Sequence, residues 1–573
     1  MGISAAARPW LDHYPAGVPA EIDSGRHGSL VDLLESSFER HAERTACSFM
    51  GRDFRYAELE RDSRALAACL QDLGLRRGDR VAVMLPNLPQ YPVAAAAILR
   101  AGCVLVNVNP LYTARELEQQ LSDSGACAVV VLEQFAATLA ACLARTEVRH
   151  VVLCAVGDML GPVKGRLVDF VLRRVRKRVP PFELPQALRF KAALARGRRL
   201  ALVRPELGPD DPALLQYTGG TTGLPKGALL LHRNLVANVL QSGAWNEPAL
   251  RRLPAGEQAG YVCALPLHHI FAFTVCMLLC LHEGGRFVLI PDPRDLGSMI
   301  RALQQQRLHI FPGVSTLFRA LLDHPDFGRV DWSRLLVTVG GGMAVQAEVA
   351  RRWQARTGCP LCEGYGLSEA SPTVSCQPVV GTGYDGSIGF PLPGTRMMCV
   401  DQAGAEVAQG QPGEIAVCGP QVMAGYWQRP GETAEVMLPG GWLRTGDIGV
   451  MESDGRFRVV DRQKDLIVVG GFKVYPSEVE AVVAELSGVL DCAAVGLPDP
   501  HAGELVGLFV IRRDPQLDEH AIREHCRERL TGYKRPRRIE FCDTLPRNPL
   551  GKVLRRVLRD SVPDRQSGTS PAP

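Results

Sequence analysis

The stretch YTGGTTGLPKG, Tyr217 to Gly227, sets four glycines among three threonines and one lysine. Glycine lets a backbone approach a ligand closely and take positive φ. Successive free N–H groups in such a loop form a concave anion site. Thr218, Thr221 and Thr222 add hydroxyls, and Lys226 adds a positive charge. These residues suit the gripping of phosphate, with Gly219, Gly220 and Gly223 offering bare backbone. The stretch is not a Walker A loop, whose lysine directly follows a glycine; here Pro225 intervenes. On glycine content alone, a surface turn would read the same way.

Further candidates follow in order. VTVGGGMAVQ is a second glycine cluster behind an apolar run. CEGYGLSEASP offers the flat ring of Tyr365, the hydroxyl of Ser368 and the carboxylate of Glu369. A carboxylate suits Mg²⁺, a hard oxygen-seeking cation. GWLRTGDIG carries Asp447, and VVDRQKDLIVVGGFKVYP carries Arg462; an acid and an arginine could both bind ribose hydroxyls. LPRNPLGKVLRR presents Lys552 on a Pro/Gly-rich loop. Singly, an aspartate here reads as a turn residue and a lysine as a solvated charge. The order and completeness of the set carry the weight.

These loops need elements to hold them. Leu59, Ala65, Leu66, Cys69 and Leu70 have helical spacing, and PQYPVAAAAILRAG reads as a second helix ending at glycine. DRVAVML, VLVNVNP, ACAVVVL, HVVLC, RFVLI, HIFPGV and RLLVTVG read as short apolar strands. Strands alternating with helices imply α/β layers around a mostly parallel sheet. From about residue 385 short strands with frequent Gly and Pro turns suggest a β-rich unit. Clustered charges at Asp461 to Asp465 mark a linker, and a final α/β stretch follows. The tail, residues 561–573, is polar and proline-rich, the composition of a disordered segment.

Composition narrows the function. A chain of 573 residues, 46% hydrophobic and 22% charged, can bury a large core. A net charge of +4 gives no global field for nucleic acid. Seventeen scattered cysteines, an odd count, fit reduced thiols in a cytosol, and the pair in CPLC reads as buried structure. No apolar run reaches the roughly 18–20 residues of a spanning helix; FAFTVCMLLCL reads as a buried core helix. No secretory pattern opens the chain. A cytoplasmic protein is expected. Residues 164–199 carry twelve Lys or Arg against two acids. There Leu167, Val171, Val175 and Val179 fall on one helical face. A basic amphipathic helix suits an anionic membrane surface; a solvated helix packed by its apolar stripe is the plainer reading.

Taken together, WLDHYPAGVPAEI, PNLPQYPVA, NVNPLYTARELEQQL, LQYTGGTTGLPKGA, LPLHHIFAF, GGGMAVQ and GWLRTGDIGVM resemble the adenylate-forming superfamily. That superfamily holds acyl-CoA synthetases, luciferases and peptide-synthetase adenylation domains. The likeness spans residues 10–557 and is nearest to the bacterial long-chain fatty-acid–CoA ligases. It implies an α/β fold: a large N-terminal domain of two α/β subdomains plus a small β-rich subdomain, and a small mobile α+β C-terminal domain. The expected bounds are 1–461 for the first, 462–465 for a hinge centred on Lys464, and 466–560 for the second.

The resemblance also implies roles. A fatty carboxylate would attack the α-phosphate of ATP, and coenzyme A would then displace AMP. The opening loop would grip phosphates. Gly341, Gly342, Met343, Ala344, Tyr365 and Gly366 would line the adenine pocket, with Ser368 on phosphate and Glu369 on Mg²⁺. Asp447 and Arg462 would bind ribose, and Lys552 would bridge carboxylate and phosphate. Gly470, Gly471 and Phe472 would face coenzyme A. His269, Phe271 and Val314 would border the acyl channel. Gly219 stands where the superfamily usually has serine, and Ser368 where threonine is commoner. A medium-chain synthetase, an acyl-AMP ligase loading a carrier protein and a silent lipid-binding protein are the alternatives. Monomer and homodimer both stay open, as do chain length and pathway.

Overall fold

The structure is a computed structural model that describes residues 8–218, 225–381, 383–462, 465–470, 472–499, 502–547 and 551–561. Two large sheets form the bulk. In one, the described strands run in the order Gly425–Tyr426, Lys226–Leu231, Pro212–Thr218, Val104–Asn107, Arg80–Met84, Ala126–Leu132, His150–Cys154, Leu188–Arg189. From Pro212–Thr218 onward its neighbours pair parallel. Parallel strands are covered on both faces and so read as unbroken apolar runs. Ala126–Leu132, ACAVVVL, is buried at every position.

The second large sheet runs Phe390–Pro391, Thr373–Cys376, Leu361–Gly366, Val337–Gly340, Ile310–Gly313, Gly260–Cys263, Arg286–Leu289, Thr45–Phe49, Arg52–Arg55. Its central strands are parallel, and both edges close antiparallel. Three central strands end in glycine or run straight into it: Gly313, Gly340–Gly341 and Gly364–Gly366. Crevices outside the carboxyl ends of parallel strands are where open α/β sheets bind ligands.

The helix His232–Leu250 is the spine of this domain. Its buried amides bond to the backbone of neighbouring connections: Asn234 to Pro420 and Val422, Asn238 to Thr373, Gln241 to Pro393, each at 2.7–2.9 Å. Buried polar groups are tolerated when they are paired in this way. One core cluster runs from Trp10 to Phe457 across both sheets.

The β-rich unit is an antiparallel sheet of Arg396–Val400, Gly413–Cys418, Trp442–Met451, Met437–Leu438 and Phe457–Arg462. The expected linker therefore starts inside a strand, at Asp461 and Arg462. A separate C-terminal sheet contains Phe472–Val474, Ile467–Val469, Gly503–Arg512, Val489–Asp499 and Arg538–Phe541. Pro476–Ala484 and Glu519–Arg529 cover it, and it has its own core around Ile467, Val479, Val506 and Ile522. Asp461 accepts from the Ser477 backbone N–H at 2.9 Å. Asp465 pairs with Arg555 and Arg559, each at 3.3 Å. The acids of the charged stretch thus anchor the C-terminal helices. Residues 463–464, with the proposed hinge residue Lys464, lie outside the described residues.

Two helical expectations change in detail. The apolar run near Phe271 is buried, but Ala272–Leu278 is wound as a π-helix before an α-turn at Leu279–His282. In the basic block a helix spans Pro162–Phe170, a π-turn covers Val171–Val175, and the helix ends at Arg176. Val179 lies beyond it. The wide turn also breaks the 3.6-residue register: of the expected face Leu167 and Val175 are exposed, and Leu167 is joined by Val163 and Phe170 rather than by Val171 and Val179. Val163, Leu167 and Phe170, at i, i+4 and i+7, are 81%, 61% and 58% exposed. All seventeen cysteines are free thiols, and most are buried, Cys359 and Cys362 included. No helix among the described residues is long and apolar enough to cross a membrane.

Candidate active site

The strand ends build a flat floor. A Cβ on Gly341 would lie 3.0 Å from the Phe271 ring and 3.1 Å from the Gly364 carbonyl oxygen. One on Gly366 would stand 2.2 Å from the Pro372 carbonyl oxygen, so a side chain is excluded there. Gly342 has φ +75°, the left-handed region that favours glycine. Tyr365 leaves this floor, and its hydroxyl donates to Asp447 at 2.7 Å. That bond ties the α/β sheet to the strand Trp442–Met451. Asp447 sits opposite Arg462 in the antiparallel register.

Ser368 and Glu369 follow on one 3₁₀ turn, Ser368–Ala370. The Glu369 carbonyl accepts from the Met423 N–H at 2.8 Å, and its carboxylate accepts from the Tyr426 hydroxyl at 2.8 Å. Both contacts fix the carboxylate toward the cavity.

Gly219, Gly220, Thr221, Thr222 and Gly223 lie outside the described residues. The flanks of their loop are described: Thr218 and Lys226 face each other across an antiparallel pair. The Lys226 ammonium is ion-paired with Glu432 and stands 5.3 Å from the centre of the Tyr426 ring. Glu432 also pairs with Arg429 at 3.3 Å, and Arg429 holds Asp123 at 2.8 Å. Asp123 in turn accepts from the Tyr217 hydroxyl at 2.6 Å. The strand before the loop and the strand after it are thus both clamped.

Lys552 reaches the same cavity from the C-terminal domain. The residue before it, Gly551, has φ +81°, and its Cβ position lies 2.9 Å from the Thr316 hydroxyl and 3.7 Å from the Met343 sulfur. A side chain there would push the loop off the large domain.

The cavity measures about 770 Å³. Thr218, Lys226, Tyr365, Glu369, Asp447 and Lys552 line its polar end. It then passes His269, Phe271 and the Gly341 floor into an apolar tunnel. The tunnel runs between the face of Ile310–Gly313 and Val337–Gly340 and the helices carrying Trp245 and Val275. The π-turn places Val275 in its wall. Burial holds the imidazole of His269 down to about 4 and that of His268 down to about 3. Both are neutral at pH 7. The Nδ1 of His269 accepts from the Phe271 N–H at 3.3 Å. The segment is positioned by a buried chain: Tyr91 donates to Asn107, Asn107 to Gln216, and Gln216 to the His268 carbonyl.

Other expected residues fall elsewhere. Val314 is buried at the start of the helix Ser315–Asp323, and Ala344 is exposed; neither lines the cavity. Met343 sits under Gly551. Gly470, with φ +58°, turns the chain within the C-terminal sheet, and the exposed Phe472 ring stacks on Tyr533 at 4.8 Å. Gly471 and the side chain of Arg462 lie outside the described residues. Sequence reasoning missed Tyr426, Glu432 and Glu414. Glu414 accepts from the Gly446 N–H at 3.0 Å and shapes the loop before Asp447. No spacing signal marks these three, because the contacts that bring them to the site, Tyr426 to Glu369, Glu432 to Lys226 and Glu414 to Gly446, span long sequence separations.

A carboxylate group for a divalent cation is present in minimal form. Glu369 lines the cavity, and no cluster of three or more His, Cys, Asp or Glu able to hold a metal occurs among the described residues. Mg²⁺ is commonly held by one or two carboxylates with substrate phosphates and water completing its shell. The residues fit a cation that arrives with a nucleotide.

The AMP-binding enzyme profile matches residues 34–427, and its C-terminal-domain profile matches 478–552. A curated long-chain-fatty-acid–CoA ligase of Escherichia coli O157:H7 is 51% identical over 96% of this chain and 98% of its own. The ATP-bound crystal structure of MatB from Rhodopseudomonas palustris is 28% identical, with a TM-score of 0.75 over 93% of this chain and 98% of that one. The fold also matches the anthranilate CoA ligase AuaEII in complex with anthranoyl-AMP, at a TM-score of 0.81 and 24% identity over 94% and 99% of the two chains. By profile, by full-length similarity and by fold, the chain belongs to the AMP-binding enzyme family of adenylate-forming enzymes.

Proposed function

We propose that this protein joins a long-chain fatty acid to coenzyme A at the expense of ATP, through an acyl-adenylate, releasing AMP and pyrophosphate. One observation carries the reading. A single cavity joins a polar end, with Lys226, Ser368, Glu369 and Lys552, to an apolar tunnel beyond Gly341. A nucleotide needs the first part and an acyl chain the second. The acyl carboxylate and the α-phosphate would meet where the two parts join. The full-length similarity to long-chain-fatty-acid–CoA ligases supports the substrate class.

The first step brings two anions together, so the protein's work is positioning and charge neutralisation. Lys552 supplies a cation beside both. Lys226 and the glycine-rich loop hold the outer phosphates, and Tyr365 and the Gly341–Gly342 floor hold the base. Asp447 and Arg462 hold the ribose. Glu369 would hold Mg²⁺, which supplies neutralisation of phosphate charge. His269, kept neutral, offers its other ring nitrogen to the carboxyl end of the acyl chain without adding charge. In the second step the thiol displaces AMP. We assign Gly470, Gly471 and Phe472 to that step. Gly470 and Phe472 stand away from the cavity, so the C-terminal domain would turn about residues 462–465 to present this segment.

The reading extends to a membrane. Val163, Leu167 and Phe170 form an outward apolar stripe flanked by Lys164, Arg166, Arg174 and Lys177. Such a helix can lie on an anionic surface, where acyl substrates partition. The protein would then be a peripheral one on the cytoplasmic face.

Pyrophosphate release with oleate, ATP and Mg²⁺, with and without coenzyme A, tests the function. Oleate-dependent release with oleoyl-CoA as product is expected. Release without thioester formation would favour an acyl-AMP ligase, and no release would reject catalysis.

A further inference from the structure

The far end of the tunnel is not purely apolar. Ser242 and Asn246 stand one turn apart on the same face of the helix His232–Leu250, and both line the cavity. Each is 7% exposed. The Ser242 hydroxyl has no hydrogen-bond partner among the described residues. The Asn246 amide makes no hydrogen bond to any described residue, unlike Asn234, Asn238 and Gln241 on the same helix.

Their place along the tunnel follows from the helix contacts. Asn238 bonds to the Thr373 carbonyl, and Thr373 pairs with Gly366 at the nucleotide end. Seven residues on, Trp245 bonds to the Gln377 carbonyl. Rising along the helix therefore leads away from the nucleotide. The opposite wall is Val339 and then Val337, about 13 Å of strand from Gly341, with Ile310 beside Val337 in register. Behind Gly243 a third polar group waits: its Cβ position is 3.5 Å from a carboxylate oxygen of Glu283, which is bonded to Tyr261. Tyr261 pairs with Ile310.

A buried polar atom left unpaired costs about 1–3 kcal/mol. A plain hydrocarbon chain would leave the Ser242 hydroxyl without a partner and offer the neighbouring Asn246 amide none. We propose that the tunnel's far end is a second recognition point, where Ser242 and Asn246 hydrogen-bond a hydroxyl on the distal half of the acyl chain, so that hydroxylated long-chain acids are substrates. A hydroxyl both donates and accepts, and so do a serine hydroxyl and an asparagine amide. The inference rests on the ligase reading above and deepens it.

The test compares octadecanoic acid with its hydroxylated isomers, the hydroxyl being moved from the carboxyl end toward the methyl end. The readout is kcat/KM of each isomer relative to the plain acid, in wild type, Ser242→Ala and Asn246→Leu. The ratio is expected to peak at one distal position and to fall there about tenfold in either variant, the worth of one hydrogen bond. The milder Ser242→Ala keeps the test open if Asn246→Leu does not fold. A ratio that is flat along the chain in wild type, or a peak that neither substitution lowers, overturns the proposal. Turnover of octadecanoic acid itself reports separately on the ligase reading; if no acid is turned over, both fall.

Discussion

The Tyr365 hydroxyl donates to the Asp447 carboxylate at 2.7 Å, joining the end of a parallel strand to the β-rich unit. Both residues line the cavity, and Asp447 is only 6% exposed. The bond holds two walls of the nucleotide end at fixed separation. Tyr365→Phe keeps the ring and removes the donor. A several-fold rise in the KM for ATP is expected, with a smaller change in kcat, from initial rates of pyrophosphate release. An unchanged KM would show that other contacts set the separation.

Glu369 and Tyr426 form the second such pair, at 2.8 Å. If the carboxylate holds Mg²⁺, Glu369→Gln should slow adenylation by about 10²–10³, the usual cost of one electrostatic transition-state contact. Tyr426→Phe should cost less, because it only frees the carboxylate to rotate. Raising Mg²⁺ should partly rescue Tyr426→Phe. Normal rates for Glu369→Gln at saturating Mg²⁺ would make the carboxylate structural.

Stability should depend on pH in two opposed ways. Burial holds His268 and His269 near 3 and 4, below their unfolded value of 6.5. Between those values the unfolded chain binds more protons, so stability rises with pH until about 6.5. Burial pushes Glu283 the other way, from 4.5 up to about 8. In that window the native state holds the extra proton, so its contribution is lost as pH rises through 8. Glu283→Gln should therefore lose less Tm than wild type between pH 5 and 8, inside that window. Parallel Tm curves for the two proteins would contradict this assignment.

Membrane binding separates by residue. Arg173 makes two bonds to Glu133, at 2.7 and 2.9 Å, so its charge is already engaged. Arg174 and Lys177 are the cations to reverse. A basic residue near an anionic surface contributes about 1 kcal/mol, less when salt screens it. Sedimentation with phosphatidylglycerol vesicles should fall with salt and with Arg174→Glu/Lys177→Glu. It should also fall with Leu167→Ser/Phe170→Ser. Equal binding of the wild type to neutral and anionic vesicles would reject this surface.

The sheets were legible because parallel strands are apolar on both faces: ACAVVVL and HVVLC read as strands and are strands. The glycine floor was legible because close approach demands it at Gly341 and Gly366. The basic helix was not. Its apolar face was assigned with a uniform 3.6-residue period, and a π-turn at Val171–Val175 and an end at Arg176 broke that period. Nor were the clamps on Glu369 and Lys226 legible. Tyr426 and Glu432 lie far away in sequence, and nothing local announces such pairs.

The central claim is that one cavity forms the adenylate with Lys552 and must be rebuilt to form the thioester. Lys552→Ala tests it through the two half-reactions measured apart. The account predicts loss of acyl-adenylate formation from oleate and ATP, with thioester still formed from supplied oleoyl-adenylate and coenzyme A. Gly471→Leu should do the reverse, and Lys464→Pro, by fixing φ at the pivot, should mainly harm the second step. Equal damage to both half-reactions in Lys552→Ala and in Gly471→Leu would contradict the account.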